Sequence, residues 1–350
     1  MTQTTILGWD VGGAHVKAAL LNSNGEVVSV MQQPCPLWKG LVYLEQAIDE
    51  ILSALPGQCS RHAVTMTGEL VDCFASREQG VMAIVHTLQA RLGDVQIDVF
   101  AGTQGFIAAS NIQVSDVMAI ASANWIASAQ LAAKRQAQAI FVDIGSTTTD
   151  ILLIENHKLQ AQGLTDYERL VSGELVYTGI VRTAVMAVAQ TAVFNGRSMG
   201  LMAEYFATMA DVYRLTGDLQ EQHDQSDTAD GAEKSPQASA IRLSRMTGYE
   251  FNLKDWPLWL AFAQTLKQQQ LENIKQACMQ QLQRGRQPKQ SCIVGAGVGR
   301  FLVKQIAVEL GLPYMGFTQL ITQTASLDTM DAADCAPAVA VAYLAVGVGE

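Results

Sequence analysis

Asp10-Val11-Gly12-Gly13-Ala14-His15-Val16-Lys17 follows the apolar run Thr5-Ile6-Leu7-Gly8-Trp9, and the reading of that junction decides the fold. The run reads as a buried strand, and the glycine pair as a tight turn into a second strand, Val16 to Leu21. Two glycines at a strand end leave backbone N–H groups unshielded by any Cβ, so a phosphate can approach Gly12 and Gly13 closely. Asp10 sits at the mouth of the turn, where a carboxylate can hold a divalent cation directly or through its water shell. Taken alone, the stretch is better described as an ordinary hairpin.

The pattern returns. Ala139-Ile-Phe-Val-Asp143-Ile-Gly145-Ser146-Thr147-Thr148-Thr149-Asp150 leads into the apolar run Ile151 to Ile154. Again there is an apolar strand, Asp-x-Gly, a turn of small residues and a return strand. Ser146, Thr147, Thr148 and Thr149 add hydroxyl donors to the backbone N–H groups of the turn that opens at Gly145, which suits a phosphate. A third element, Cys292-Ile-Val-Gly295-Ala-Gly297-Val-Gly299-Arg300, opens onto an amphipathic helical stretch that stops at Gly311. Strand, glycine turn and helix N-terminus together make a phosphate or nucleotide site from backbone donors and dipole.

Two Asp-Gly hairpins followed by a glycine-rich strand-to-helix turn resemble the actin, sugar-kinase and Hsp70 superfamily. That resemblance implies an α/β, two-domain actin-like ATPase fold of duplicated ribonuclease H-like domains. The hairpins would face each other across an interdomain cleft, and the third element would cover the nucleoside. A Rossmann-type protein with coincidental hairpins is the alternative. The domains are expected at 1–136 and 137–350, with an inserted helical substrate region at about 160–290. The small-residue helix Pro337 to Val346 is expected to pack back near the cleft.

Composition agrees with two packed domains. Of 350 residues, 49% are hydrophobic and 16% charged, a balance unlike that of disordered chains. The net charge of −10 and the lack of a basic stripe argue against nucleic acid as a partner. A negative protein that handles phosphates must use metal ions and local donors. Six scattered cysteines without a CxxC pair read as reduced core thiols, and five dispersed histidines form no zinc pattern. No leader segment is apparent at the N-terminus, and the apolar stretch Ala336 to Gly349 is too short to span a bilayer. A cytoplasmic location without membrane partners is expected; homo-oligomerisation stays open.

Between the anchoring motifs, Leu41 to Leu55 and Gly80 to Leu92 read as helices, and Asp116 to Lys134 as one long alanine-rich helix. The strand Ala63 to Met66 should deliver Thr67, Gly68 and Glu69 at its C-terminal end, where open α/β sheets present ligand groups. Glu69 either caps the next helix or presents its carboxylate to substrate or metal. Lys17, on the return strand, points to solvent or neutralises a phosphate. Asn124 and Trp125 read as a packing pair. Gly173-Glu174 is a turn and helix start, or Glu174, Tyr177 and Thr178 line a substrate pocket. Ala203 to Leu215 reads as a helix. The acidic run Gly217 to Ala240 reads as a solvated mobile loop, with a lid or metal-contacting loop around Thr228-Ala-Asp230-Gly231 as the alternative. Pro257 to Arg284 makes one or two helices, and Gln287-Pro288 leads into the strand Ser291 to Val294. Asp328, Asp331 and Asp334 precede the last helix, where acids suit a helix N-terminus.

A closer resemblance covers nearly the whole chain. Its motifs are Trp9 to Ala19, Met66-Thr-Gly-Glu-Leu-Val-Asp-Cys-Phe74, Ala121-Ser-Ala-Asn-Trp125, Val142 to Asp150, Ser172-Gly-Glu-Leu-Val-Tyr-Thr-Gly179 and Phe206 to Tyr213. They resemble the hydantoinase/oxoprolinase-related proteins linked to tetrahydromethanopterin-dependent one-carbon metabolism, whose archaeal relatives are methanofuran-biosynthetic synthases. The resemblance implies a transferase that joins a phenol to an aminomethylfuran diphosphate, releasing pyrophosphate and leaving an aryl ether. Small molecules, the diphosphate donor and the phenolic acceptor, would then be its partners. Asp10 and Asp143 would hold the diphosphate through Mg²⁺, with the turns at Gly12-Gly13 and Gly145 to Thr148 as phosphate donors. Glu69 and Asp150 are the candidates for general base, and Glu174 a weaker one. Gly295, Gly297 and Gly299 keep ATP binding open, so an ATP-dependent small-molecule kinase or amide hydrolase is the alternative. A non-catalytic nucleotide-binding scaffold is the third reading.

Overall fold

The computed structural model describes residues 5–286, 291–324 and 330–346. Gln287, Pro288, Asp328 and Gly349, which entered the sequence reading, lie outside the described residues.

The chain divides into two compact units. The first takes in Met1–Ala139, Ile154–Gln160 and Met315–Glu350; the second, Ile140–Leu153 and Ala161–Tyr314. In the first, strands β1 (Ile6–Val11), β2 (His15–Leu21), β3 (Val27–Pro34), β4 (Arg61–Met66), β5 (Gln96–Phe100) and β6 (Phe106–Ala108) form one sheet, ordered β3-β2-β1-β4-β5-β6. β1 pairs antiparallel with β2 and parallel with β4. Every residue of β1 is buried, as a central strand covered on both faces requires. Its helices are α1 (Val42–Ala54), α2 (Arg77–Leu92), α3 (Val117–Ile120), α4 (Asn124–Arg135) and, from the far end of the chain, α11 (Ala336–Val346). Leu7, Trp9, Val16, Leu44, Ile48, Val64, Ile84 and Leu88 belong to one core cluster.

The second unit holds most of a second sheet, built from β7 (Gln138–Ile144), β8 (Thr149–Glu155), β9 (Lys158–Leu159), β10 (Leu175–Val176), β13 (Cys292–Ala296) and β14 (Tyr314–Gly316). The sheet order is β10-β8-β7-β13-β14, with β9 beside β8. The strand order β2-β1-β4-β5 thus recurs as β8-β7-β13-β14, each time centred on a strand that ends in an Asp-x-Gly turn. A two-stranded ribbon, β11 (Thr191–Phe194) with β12 (Arg197–Gly200), and helices α5 (Asp166–Ser172), α6 (Val185–Val188), α7 (Met209–Thr216), α8 (Pro236–Thr247), α9 (Trp256–Arg284) and α10 (Arg300–Leu310) complete it. Among the described residues, no helix is long and apolar enough to cross a membrane.

Packing draws the division differently from the expected 1–136 and 137–350. α11, expected in the second domain, lies on β1: a Cβ at Gly8 would overlap the Ala338 carbonyl, so the glycine is what admits the helix. Lys17 Nζ donates to Asp334 O (2.7 Å) ahead of α11, and Arg61 Nη1 to Ala345 O (2.7 Å) near its end. A cation on a C-terminal carbonyl also complements the helix dipole.

Three other expectations change. The helix expected over Asp116 to Lys134 is broken: α3 stops at Ile120 and α4 begins at Asn124, with Ser122 between them at φ +52°. The helix expected from Ala203 begins at Met209, where Thr208 N donates to Asp211 Oδ2 (3.0 Å) as part of a capping box. The acidic run at 217–240 is anchored by cations rather than solvated throughout. Buried Arg214 is bound by Glu221 and Asp224, buried Arg242 by Asp211 and Asp230, and Lys267 by Asp218. Glu221, Asp224 and Asp230 are the counter-charges of arginines that α7 and α8 carry inward.

Candidate functional site

Each unit carries its own half of the predicted set. The two hairpins close with the same bond: Gly12 N donates to His15 O and Gly145 N to Thr148 O, both 2.9 Å.

In the first unit, Asp10 is 7% exposed and lies in register with Lys17 of β2 and Thr65 of β4. β4 then delivers Thr67, Gly68 and Glu69 beside the hairpin, since Thr67 N and Gly68 N both donate to Val11 O (2.9 and 3.0 Å). The glycines pack closely here: a Cβ at Gly13 would lie 2.7 Å from Val71 Cγ1 and one at Gly68 2.8 Å from Leu37 Cδ2, so either would push a neighbouring side chain aside. Glu69 is fully buried, and its Oε1 accepts from Ser122 Oγ at 2.8 Å. It caps no helix, because α2 begins eight residues later with Ser76 as its cap. The motifs at 10–13, 67–69 and 121–122 therefore meet in one place. Lys17 instead ties β2 to the turn before α11. Asp331 and Asp334 form a capping box: Asp331 Oδ1 accepts from Ala333 N (2.9 Å) and Asp334 Oδ2 from Asp331 N (3.0 Å).

In the second unit, Asp143 (9% exposed) is the last residue but one of β7, under the third glycine element. A Cβ at Gly297, whose φ is +78°, would overlap Asp143 Oδ1 and Ile144 O; Gly299 N donates to Ile144 O at 2.8 Å. Gly295 meets the ring of Tyr314, with a Cβ placed 2.7 Å from it. Asp143, the turn Gly145–Thr148 and Gly295–Gly299 thus form one cluster. A strap at 179–183 braces the turn: Ile180 N donates to Gly145 O (3.0 Å), and Val181 N and Arg182 N to Ser146 O (3.0 and 2.9 Å). Gln270 of α9 holds the strap by donating to Thr178 Oγ1 (2.7 Å) and Gly179 O (2.9 Å), while Tyr213 OH donates to Gln270 Oε1. Within the turn, Ser146 Oγ is buried with no hydrogen-bond partner among the described residues. That is an unspent donor of the kind a phosphate oxygen would use.

Two candidate bases are occupied by cations. Asp150 is ion-paired with the buried Arg169; burial pushes its carboxyl above the ordinary range against the pull of that guanidinium. Glu174 is fully buried and accepts from Gln162 N (2.8 Å), Gly163 N (3.2 Å), Ser172 Oγ (2.9 Å) and Arg284 Nη1 (3.0 Å), so it organises the chain around α5. Tyr177 is 67% exposed. With Leu170, Leu175, Val176, Ala277 and Met279 it lines an open groove of about 580 Å³ between β10 and α9.

Sequence reasoning missed Ser122, Gln270, Tyr213 and the strap. Ser122 lies within a motif that was read, yet inside an alanine-rich run nothing marks a break. Gln270 sits in a run of three glutamines with no local signal of which one turns inward.

Two like-ordered sheets, each with an Asp-x-Gly hairpin at the end of its central strand, define a protein of the actin-like α/β class. The chain belongs to the hydantoinase/oxoprolinase family, whose profile matches residues 61–338. It is 29% identical over 272 residues to the (4-{4-[2-(γ-L-glutamylamino)ethyl]phenoxymethyl}furan-2-yl)methanamine synthase of Methanocaldococcus jannaschii, covering 77% of this chain and 80% of that one. The synthase of the same name from Methanococcus vannielii is 35% identical over 113 residues, covering 32% of this chain and 50% of that one. Among solved structures, nucleotide-free acetone carboxylase matches with a TM-score of 0.55 and 9% identity, over 89% of this chain and 68% of that one. At such identity the likeness is one of fold.

Proposed function

We propose that this protein is an enzyme of methanofuran-type cofactor biosynthesis that joins a tyramine- or tyrosine-type phenol to aminomethylfuran diphosphate and releases pyrophosphate. The observation that carries the reading is the 29% identity, over 77% of this chain, to a synthase named for a phenoxymethylfuran amine. Such a product contains the aryl ether bond that the reaction forms. The phenol oxygen attacks the furfuryl carbon, the carbon–oxygen bond to the diphosphate breaks, and its electron pair leaves with pyrophosphate. The phenolic proton passes to a general base. The electron-rich furan stabilises positive charge on the departing carbon.

The residues fit Mg²⁺ brought in with the diphosphate rather than a protein cage. Asp10 and Asp143 each offer a carboxylate at a strand end, while among the described residues no group of three or more His, Cys, Asp or Glu is placed to hold a metal. One or two carboxylates with phosphate oxygens and water is a donor set that Mg²⁺ takes. When bound, it would supply charge neutralisation of the leaving diphosphate. The N–H groups of Gly12 and Gly13 in one hairpin, or those of Gly145 to Thr148 with Ser146 Oγ in the other, would orient that diphosphate. Glu69, which follows β4 beside the Asp10 hairpin, is taken as the base, because Asp150 and Glu174 are held by arginines.

Purified protein with Mg²⁺, the furan diphosphate and the phenol should release pyrophosphate only when both substrates are present. ADP formation that depends on a small acceptor would instead support an ATP-dependent kinase or amide hydrolase, a reading favoured by the glycine turn ahead of α10. Asp10→Asn and Asp143→Asn should each lower turnover at least about 100-fold while the chain stays folded. Full activity in both would remove the metal assignment.

A further inference from the structure

Ser122 has a backbone that serine seldom adopts. At φ +52° it turns the chain between α3 and α4. Glycine, or less often asparagine, is the usual residue for that conformation, because a Cβ there crowds the following carbonyl oxygen. The backbone therefore asks for glycine, and only the side chain asks for serine. That side chain is buried and donates to Glu69 Oε1 at 2.8 Å, joining the Thr-Gly-Glu segment after β4 to the helix break. Strained backbone at a polar contact with a buried carboxylate is a mark of function rather than of packing alone.

We infer that Ser122 is a positioning residue whose hydroxyl fixes the Glu69 carboxylate in the rotamer from which it takes the phenolic proton. This rests on the reading of Glu69 as general base given above. A hydrogen bond from a hydroxyl to a carboxylate is charge-assisted and directional, so its loss lets the carboxylate leave the reactive orientation without emptying the substrate site.

Three variants decide it: Glu69→Gln, Ser122→Gly and the double variant, each assayed for pyrophosphate release from furan diphosphate and a tyramine-type phenol with Mg²⁺. Ser122→Gly removes both the hydroxyl and the backbone strain. It should melt no lower than the parent, yet lose about 10- to 100-fold in kcat with KM for the diphosphate within about twofold. The double variant should be no slower than Glu69→Gln, because Ser122 acts through Glu69. Parental kcat in Ser122→Gly beside an inactive Glu69→Gln overturns the inference and leaves the base in place. Full activity in Glu69→Gln overturns the base and the inference with it. An activity-independent measurement is the ¹³C shift of the Glu69 carboxyl, assigned by its disappearance in Glu69→Gln. Ser122→Gly should displace that signal, and an unmoved signal refutes the contact.

Discussion

At the scale of single residues, the first unit buries a histidine that must stay neutral. Trp9 Nε1 donates to His62 Nδ1 at 3.1 Å, so that nitrogen carries no proton, and burial pushes His62 down to about 4. The unfolded chain titrates near the ordinary 6.5. Between the two values the unfolded state binds one proton more, so the contribution of this group is complete above pH 6.5 and is lost as pH falls toward 4. Melting midpoints recorded from pH 7 to 4 should therefore fall more steeply for the parent than for His62→Gln. Parallel curves would refute the buried neutral imidazole. A second residue-scale prediction concerns Gly297, where φ is +78° and a Cβ would overlap Asp143 and Ile144. Gly297→Ala should cost at least about 2 kcal/mol in denaturant unfolding, and a neutral result would mean that the glycine turn does not sit on β7.

At the scale of elements, what was legible in the sequence divides by the range of the forces involved. The Asp-x-Gly hairpins and the third glycine turn were readable because strand, turn and glycine are local in sequence. The break at Ser122 was not, because no glycine or proline marks it locally and the partner of its hydroxyl, Glu69, lies fifty-three residues away. The segment 217–240 misled for the same reason: its acids look solvated until Arg214 and Arg242 turn inward to meet them. Arg242 is fully buried and bonds Asp211 Oδ1 (2.7 Å) and Asp230 Oδ1 (3.1 Å). Removing one partner of such a pair strands the other, at about 3–5 kcal/mol. Arg242→Ala should accordingly open the segment to limited proteolysis at residues 217–235, whereas 0.5 M salt acting on the parent should not, since buried pairs are poorly screened. Cleavage of the parent at the same rate as the variant would return the segment to the solvated loop that its composition suggests.

At the scale of the whole molecule, the first unit is discontinuous: the last helix closes a core begun by the first strand. α11 is made of small apolar residues, nearly all buried, so it offers little surface of its own and fits only where Gly8 and its neighbours leave room. The sequence showed this helix as an apolar run but carried no local sign of which unit it would join. Joining β1 to a helix more than three hundred residues later makes the first unit dominated by non-local contacts, which raises the entropic cost of its closure and slows its folding. The second unit draws none of its residues from beyond Tyr314. A chain ending before Ala336 should therefore lose hydrogen-exchange protection throughout β1, β2 and β4, while β13, α9 and α10 keep theirs. Retained protection in β1 would show that the first sheet is stable without α11, and that the contact at Gly8 closes the unit without holding it together.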